Sequence, residues 1–340
     1  MKTISITSNY LYSIFEQIQA QLGGNLDKKS KEYRLEINND TGKGFISGIM
    51  IEPAICYIEY EIIFKEDVSF VYKQDNSSSI HFGYCSNGCL MQSFGEEGKR
   101  NRLNQFQTGI FSNSFNKKNT IFSFNKNQPT KASLITVHTL SVHDQELKQQ
   151  LISTFFQNKE NHPLSYVGSL NLKIVEQINL LNSINQKGLV RNLLINSSVY
   201  LILALEIEQH KYDLTKAQNC FNSALTQVDM EIIKRVSEHI KMNPEIQYSL
   251  KYLCKKFGIS PFKLQEGFKV MHDRTVTDFI RNTRVEVAEN LIRTSELNIS
   301  EIVYTVGLTS RSYFSKIFKE KYNCSPKHYQ NHQNKVVITA

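Results

Sequence analysis

Cations and small hydroxyl side chains share one face of a predicted helix near the C-terminal end of the chain. This polar face carries Arg311, Ser312, Ser315, Lys316 and Lys319. Long cations bind phosphates and base edges, and hydroxyl groups hydrogen-bond to both. The opposite face is apolar, because Phe314, Ile317 and Phe318 follow at spacings of three and four residues. The pattern predicts a helix that packs on a core with one side and offers the other side to a polyanion.

The distribution of charge agrees with this prediction. The chain has a net charge of +8, and Val228–Lys335 contains 18 Lys and Arg against 12 Asp and Glu, a net of +6. A basic C-terminal third favours a polyanionic partner, although a surplus of this size also occurs on ordinary solvated surfaces. Charge therefore permits nucleic-acid binding without requiring it.

Two similar segments lie about fifty residues apart. Ser249–Ser260 and Asn298–Thr309 match in every apolar position, and each predicts a short amphipathic helix that ends at a glycine. Gly258 and Gly307 stand where the chain must leave the helix in a left-handed conformation, which glycine adopts at little cost. Each segment is followed at once by another helix. A helix, a tight turn and a second helix with a polar face form a helix-turn-helix unit.

Capping residues mark the beginnings of these helices. Ser249 and Asn298 are suitable N-caps for the first helix of each unit, and Ser260 and Ser310 for the second. A longer helix that begins after Thr275 joins the two units. If this rigid spacer holds the two second helices about 34 Å apart, both can enter successive major grooves of one duplex.

The stretch Asn298–Tyr329 resembles the signature of AraC/XylS-type regulators, and Met230–Thr294 fits the same domain more loosely. The resemblance implies a double helix-turn-helix DNA-binding domain over residues 228–335. It also implies an activator that binds promoter DNA and positions RNA polymerase. Responding to a small effector is typical of such regulators.

In this family the exposed face of each second helix reads bases. By position, the resemblance implies the DNA-binding residues Phe262, Lys263, Gln265 and Glu266 in the first unit and Arg311, Ser312, Ser315 and Lys316 in the second. Lys269 and Lys319 complete the predicted set. Glu266 departs from the family pattern, since a cation often occupies that position, but a carboxylate can accept from a cytosine amino group.

The N-terminal 145 residues read as strands. Apolar residues alternate along Cys56–Ile62, so that each strand buries one face, and Asn87–Gly88 predicts a hairpin between two strand-like stretches. This region is similar to the cupin-like sensing domain of such regulators, so we expect a β-barrel or sandwich. Together with the helices that follow, the predicted fold class is α+β and multidomain.

Residues 146–227 are predicted to form a helical dimerisation or linker region. Leu172, Val175, Ile178 and Leu181 fall on one helix face, and Leu189–Ile207 forms a second helix that is apolar nearly all round. Its packing partners lie either within the same chain or in a second copy, as in a homodimer. The more polar Lys211–Gln227 is expected to be a hinge.

Patterns for metal binding and catalysis are not found in the sequence. His81, His138 and His143 lie in or near strands and are interpreted as structural, with no metal, no cofactor and no enzymatic activity expected. Tyr313, Phe314 and Phe318 could stack on bases, but helical spacing favours core packing for the two phenylalanines. The alternative function is a cupin-like binding protein or enzyme whose C-terminal helices are only an interaction module.

The sequence also predicts a cytoplasmic location without a membrane partner. Its longest uninterrupted apolar run, Val199–Leu205, is much shorter than the ~20 residues of a membrane-spanning helix. The first residues lack an export signal. Six scattered cysteines fit reduced thiols better than a disulfide framework.

Overall fold

The computed structural model describes residues 1–73, 79–113, 118–142, 144–156, 163–219 and 225–333, so that His143 lies outside the described residues. Contacts within the chain divide it into an N-terminal unit, Met1–Asn222, and a C-terminal unit, Ser223–Ala340. The finer domain borders at residues 145 and 227 remain predictions.

The N-terminal unit is rich in strands, as the alternating sequence predicts. Its strands are β1 Lys2–Ile6, β2 Asn25–Lys29, β3 Glu32–Asn38, β4 Gly42–Glu52, β5 Ile55–Phe64, β6 Val68–Tyr72, β7 Ser79–Asn87, β8 Cys89–Phe94, β9 Asn101–Asn104, β10 Gln107–Ser112, β11 Thr120–Phe124, β12 Thr130–His138 and β13 Leu164–Leu170. Its helices are α1 Leu11–Leu22, α2 Gln145–Phe156, α3 Leu172–Asn182 and α4 Gly188–Asn219, with a 3-10 turn at Thr139–Ser141.

The strands form two sheets. One has the order β1-β6-β11-β8-β9 and the other the order β13-β10-β7-β12-β5-β4-β3-β2. Both sheets contribute to one apolar core, which includes Phe70 and Phe122 from the first sheet, Tyr60 and Phe64 from the second, and Phe15 from α1. Neither strand order closes on itself within the described residues. A sheet-rich region is therefore confirmed, whereas the cupin-like barrel is not.

The predicted hairpin at Asn87–Gly88 is wrong. β7 and β8 do flank this turn, but they belong to different sheets. Gly88 has a φ of +75°, whereas Asn87 lacks the positive φ that a type I′ turn requires. A Cβ atom on Gly88 would lie 2.4 Å from the carbonyl oxygen of Pro129. The glycine therefore lets the chain cross from one sheet to the other close to the connection between β11 and β12.

Strand β5 is buried on both faces over its first half, where the alternation predicts one exposed face. Tyr57 is 1% exposed and Glu59 is 2% exposed, like their apolar neighbours. The second face is covered by helices, since Asn182 at the end of α3 donates a hydrogen bond to Glu59 at 2.9 Å. Sequence alternation could not predict this, because polar residues here meet a helix and not solvent.

Helices α3 and α4 confirm the predicted helix pair. Leu172, Val175, Ile178 and Leu181 are all buried on α3. Helix α4 continues to Asn219, so the expectation of a hinge is wrong for residues 211–219, and residues 220–224 lie outside the described residues. One face of α4 is buried. The other exposes the apolar side chains of Leu189, Val190, Leu193, Leu194 and Leu201.

The stretch Gly188–Thr215 of α4 is the one helix in the described part of the chain that is long and apolar enough to cross a membrane. The search for an uninterrupted apolar run found only Val199–Leu205. It missed the longer apolar segment because isolated polar residues interrupt that segment. Arg191 on this helix pairs with Glu32 of β3, with Nε and Oε1 2.7 Å apart. The helix therefore packs one side on the sheet of its own unit, and 22% of its most apolar window is buried.

The C-terminal unit is helical. Its helices are α5 Gln227–Met242, α6 Leu250–Phe257, α7 Pro261–His272, α8 Val276–Thr294, α9 Ile299–Thr305, α10 Arg311–Tyr322 and α11 Pro326–Gln333. The second half packs around Phe314, Ile317 and Phe318 of α10, which are buried against Val303 of α9 and Ala288 of α8. The predicted apolar face of α10 is thus confirmed.

Buried His81 makes the stability of the N-terminal unit depend on pH. Burial, with a smaller contribution from His138, lowers the pKa of His81 from 6.5 to about 3. Below pH 6.5 the unfolded chain binds a proton that the folded chain does not, so this contribution to stability is complete above pH 6.5 and is lost as the pH falls towards 3. At pH 5 the loss is about 2 kcal/mol.

We expect His81→Gln, which cannot titrate, to remove this dependence. Urea unfolding of the parent and the variant at pH 7.5 and pH 5 gives the difference in their free energies of unfolding. The free energy of unfolding of the parent minus that of the variant should be about 2 kcal/mol smaller at pH 5 than at pH 7.5. Glu59, Glu206 and His138 are present in both proteins, so their contributions to the pH dependence cancel in this difference. A difference that does not change with pH would contradict the prediction.

Candidate nucleic-acid interface

The first helix-turn-helix unit comprises α6 and α7. Ser249 caps α6 by accepting a hydrogen bond from the backbone N–H of Tyr252 at 3.1 Å. Gly258 ends α6 in the left-handed region with a φ of +68°. Ser260 then caps α7, which begins at Pro261. These contacts confirm the predicted cap, turn and cap, and they explain why two helices can follow each other without a longer connection.

The second unit comprises α9 and α10 and repeats this construction. Asn298 and Glu301 form a reciprocal capping box at the start of α9, as predicted. Gly307 has a φ of +76°, and Ser310 caps α10. A Cβ atom on Gly307 would lie 2.4 Å from the carbonyl oxygen of Glu245, in the segment before α6. The second turn therefore packs directly on backbone from the first half of the unit.

A buried arginine connects the two halves. Arg284 of α8 is 9% exposed, and its guanidinium donates hydrogen bonds to the carbonyl oxygens of Pro244 at 2.9 Å and Ile246 at 2.8 Å. The amide of Gln247 in turn donates to the carbonyl oxygen of Gly307 at 2.6 Å. The segment between α5 and α6 is thus bonded both to the connecting helix and to the second turn. This bonding restricts movement between the two helix-turn-helix units.

Sequence analysis missed both of these side chains. Arg284 falls among the buried positions of the predicted connecting helix, and a cation at such a position is the one signal that could have identified it. Gln247 lies in a short polar connection and has no distinguishing pattern. Their partners are backbone carbonyls, which a sequence does not specify.

The predicted DNA-binding face of α10 is accessible. Arg311, Ser312, Lys316 and Lys319 are exposed, and Ser315 is half-buried. The guanidinium of Arg311 donates to the hydroxyl of Ser300 on α9 at 3.0 Å, a contact between exposed groups. A ligand can replace such a contact at low cost. Tyr313 on the same helix is 46% exposed, whereas both nearby phenylalanines are core residues, as predicted.

The predicted face of α7 is more restricted. Phe262 and Lys269 are exposed, and Gln265 and Glu266 are half-buried. The ammonium of Lys263 lies 3.0 and 2.8 Å from the two carboxylate oxygens of Asp229 on α5. Burial alone would raise the pKa of Asp229, but the hydrogen bond from Lys263 and those from Thr226 lower it. Lys263 must leave this ion pair before it can contact a base.

Comparisons with known proteins agree with this geometry. Residues 253–332 match a family model described as a helix-turn-helix domain. The regulatory protein SoxS of Escherichia coli strain K12 is 30% identical over 101 residues, which are 30% of this chain and 91% of SoxS. The chain belongs to the AraC/XylS family. This AraC/XylS-family protein is a DNA-binding transcription regulator.

Other known proteins are similar to this chain over different shares of their length. Histidine kinase P4 of Formosa agariphila is 32% identical over 108 residues, and the AraC/XylS-family chain spans only 8% of its length. The solved structure of ToxT from Vibrio cholerae O395 aligns with 84% of this chain and 100% of its own, at 16% identity and a TM-score of 0.31.

The ion pair of Lys263 gives a test of its role. Lys263→Ala leaves the Asp229 carboxylate, 9% exposed, without its charged partner. We expect the free energy of unfolding of the helical unit to fall by about 1 to 2 kcal/mol. Denaturation of the full chain, followed by circular dichroism, measures this. The matched control is Lys269→Ala on the same helix, where an exposed cation should change stability by less than about 0.5 kcal/mol. Equal stabilities of the two variants would argue against a structural role for Lys263.

Proposed function

We propose that this protein activates transcription by binding two successive major grooves of promoter DNA with α7 and α10. The main support is the exposed cationic face of α10, which lies opposite its buried aromatic residues. The connecting helix α8 has 19 residues. At 1.5 Å per residue it is roughly 28 Å long, close to the 34 Å between successive major grooves. A spacer of this length suits contact with one side of a duplex.

In this proposal the two helices contribute unequally. Arg311 and Lys316 are suited to guanine, whose major-groove edge offers two acceptors, and Ser312 and Ser315 can bond to either donors or acceptors. On α7, Glu266 can accept from a cytosine amino group, while Lys269 binds phosphate. Because Lys263 is engaged by Asp229, we propose that most base recognition comes from α10.

Activation would also need a signal and contacts with the transcription machinery. We propose that the N-terminal unit binds a small effector, that the protein acts in the cytoplasm as a homodimer, and that the DNA-bound form positions RNA polymerase. The apolar stripe on α4 supports the dimer. Val190, Leu193, Leu194 and Leu201 recur at helical spacing, and each is 37% to 59% exposed. A second copy of the same stripe would remove these side chains from water.

Substitutions on α10 test the proposed base contacts. We expect Arg311→Ala and Lys316→Ala to weaken binding of the cognate promoter by roughly 1 to 3 kcal/mol, or about 5-fold to 150-fold, in gel-shift titrations at fixed salt. The control is Lys321→Ala on the same helix, since Lys321 pairs with Glu286 of α8 at 2.6 Å. It should change affinity much less. Parent-like promoter affinity in both test variants would instead favour the alternative, a binding protein or enzyme with an interaction module.

A charge placed in the apolar stripe tests the dimer. Leu193→Glu should convert a dimer to a monomer in sedimentation experiments, because a carboxylate would be buried without a partner. The control is Leu214→Glu, which places the same charge 21 residues further along α4, beyond the apolar stripe, at a position that is also exposed. A parent protein that sediments as a monomer, or two variants that both stay dimeric, would contradict this part of the proposal.

A further inference from the structure

A small cavity lies between the two sheets of the N-terminal unit. Its volume is about 50 Å³, and side chains from β5, β7 and β12 of one sheet and from β6 and β11 of the other line it. A single water molecule needs roughly 10 to 15 Å³ by the same kind of measure. The cavity can therefore hold several heavy atoms, which is enough for a very small molecule or for one end of a larger one.

Two imidazoles are among the polar groups that line this cavity. His81 is hydrogen-bonded through Nδ1 to the hydroxyl of Thr136 at 3.0 Å, and His138 through Nδ1 to the hydroxyl of Ser79 at 2.8 Å. These bonds fix both rings. His138 is only 8% exposed, and its Nε2 has no hydrogen-bond partner among the described residues. A buried polar atom without a partner costs about 1 to 3 kcal/mol, so this nitrogen points to a missing ligand.

The charge around the cavity is positive. Lys73, which directly follows β6, lines it at its exposed end, where the lysine is in contact with solvent. No Asp or Glu is among its described lining residues, and no carboxylate of the described residues pairs with Lys73. Burial lowers the pKa of both His81 and His138, so the imidazoles are neutral near pH 7 and leave the ammonium as the only charge among the described lining residues. Such surroundings favour an anion that accepts hydrogen bonds.

The remaining wall is apolar only in part, since Ser8, Asn9, Asn113 and Thr120 also line it. Ile14 of α1 and Ile58 of β5 lie along it. A fully hydrated inorganic anion would gain nothing from these side chains, whereas a short hydrocarbon group would bury its surface against them. The cavity volume limits this group to a few carbon atoms inside the sheets.

We propose that this cavity binds a small organic carboxylate. Its carboxylate group would bind the ammonium of Lys73 and the free Nε2 of His138, and its apolar part would contact Ile14 and Ile58. This inference deepens the proposed function, on which it rests, by assigning the effector to a chemical class and to a site.

Direct binding to the full chain, without DNA, tests the proposal. Isothermal titration calorimetry would compare propionate and butyrate with propionamide, butyramide and inorganic phosphate. We expect saturable binding of at least one carboxylate and at least 10-fold weaker binding of its amide. Lys73→Met should weaken the binding of the carboxylate at least 10-fold without affecting folding, because Lys73 is exposed and no ion pair joins it to another described residue. Lys65→Met, which removes an exposed lysine of the same unit, is the control.

Equal binding of carboxylate and amide, preference for phosphate, unchanged binding in Lys73→Met, or no binding of any probe at 10 mM would overturn the proposal. His138→Gln provides a second variant, which should weaken the carboxylate while circular dichroism remains that of the parent. Promoter binding is measured separately with ligand-free protein. A regulator that binds DNA but no carboxylate would refute the site alone, and carboxylate binding without promoter binding would refute the proposed function alone.

Discussion

The hydrogen bonds of one buried guanidinium hold the DNA-binding unit together. Arg284 extends from the connecting helix to two carbonyl oxygens of the segment that precedes α6. Without it, the carbonyls of the half-buried Pro244 and Ile246 would lose these hydrogen bonds, at a cost of about 1 kcal/mol for each bond. The same segment contacts the second turn through Gln247 and Glu245. The spacing of α7 and α10 therefore depends on this segment as much as on the stiffness of α8.

Local sequence rules were sufficient where the structure is local. The helix starts at Ser249, Ser260, Asn298 and Ser310 follow from hydrogen bonds within three residues, and all four caps are present. The family and its DNA-binding function could be inferred for the same reason, since the motif that carries them is a continuous stretch. The buried side of α10 also follows directly from helical spacing.

Predictions failed where contacts join distant parts of the chain. Asn87–Gly88 has the composition of a hairpin turn, but β7 and β8 pair with other strands, and only tertiary packing decides that pairing. Glu59 looks like a solvent-facing strand residue, yet a helix that follows more than a hundred residues later covers it. The ion pair of Lys263 with Asp229 on a neighbouring helix could not be predicted either, while the DNA contact of Lys263 stays a prediction. The cavity between the sheets likewise draws its lining from segments far apart in sequence.

The two glycine turns are alike in sequence but differ in their surroundings. No atom lies within 4 Å of the position where a side chain on Gly258 would begin, so only its backbone conformation restricts that site. Asparagine or aspartate, which adopt left-handed conformations at modest cost, could take its place during evolution. At Gly307 even a methyl group would collide with the backbone at Glu245. The first turn can therefore vary in sequence, whereas the second turn is closed to any larger amino acid.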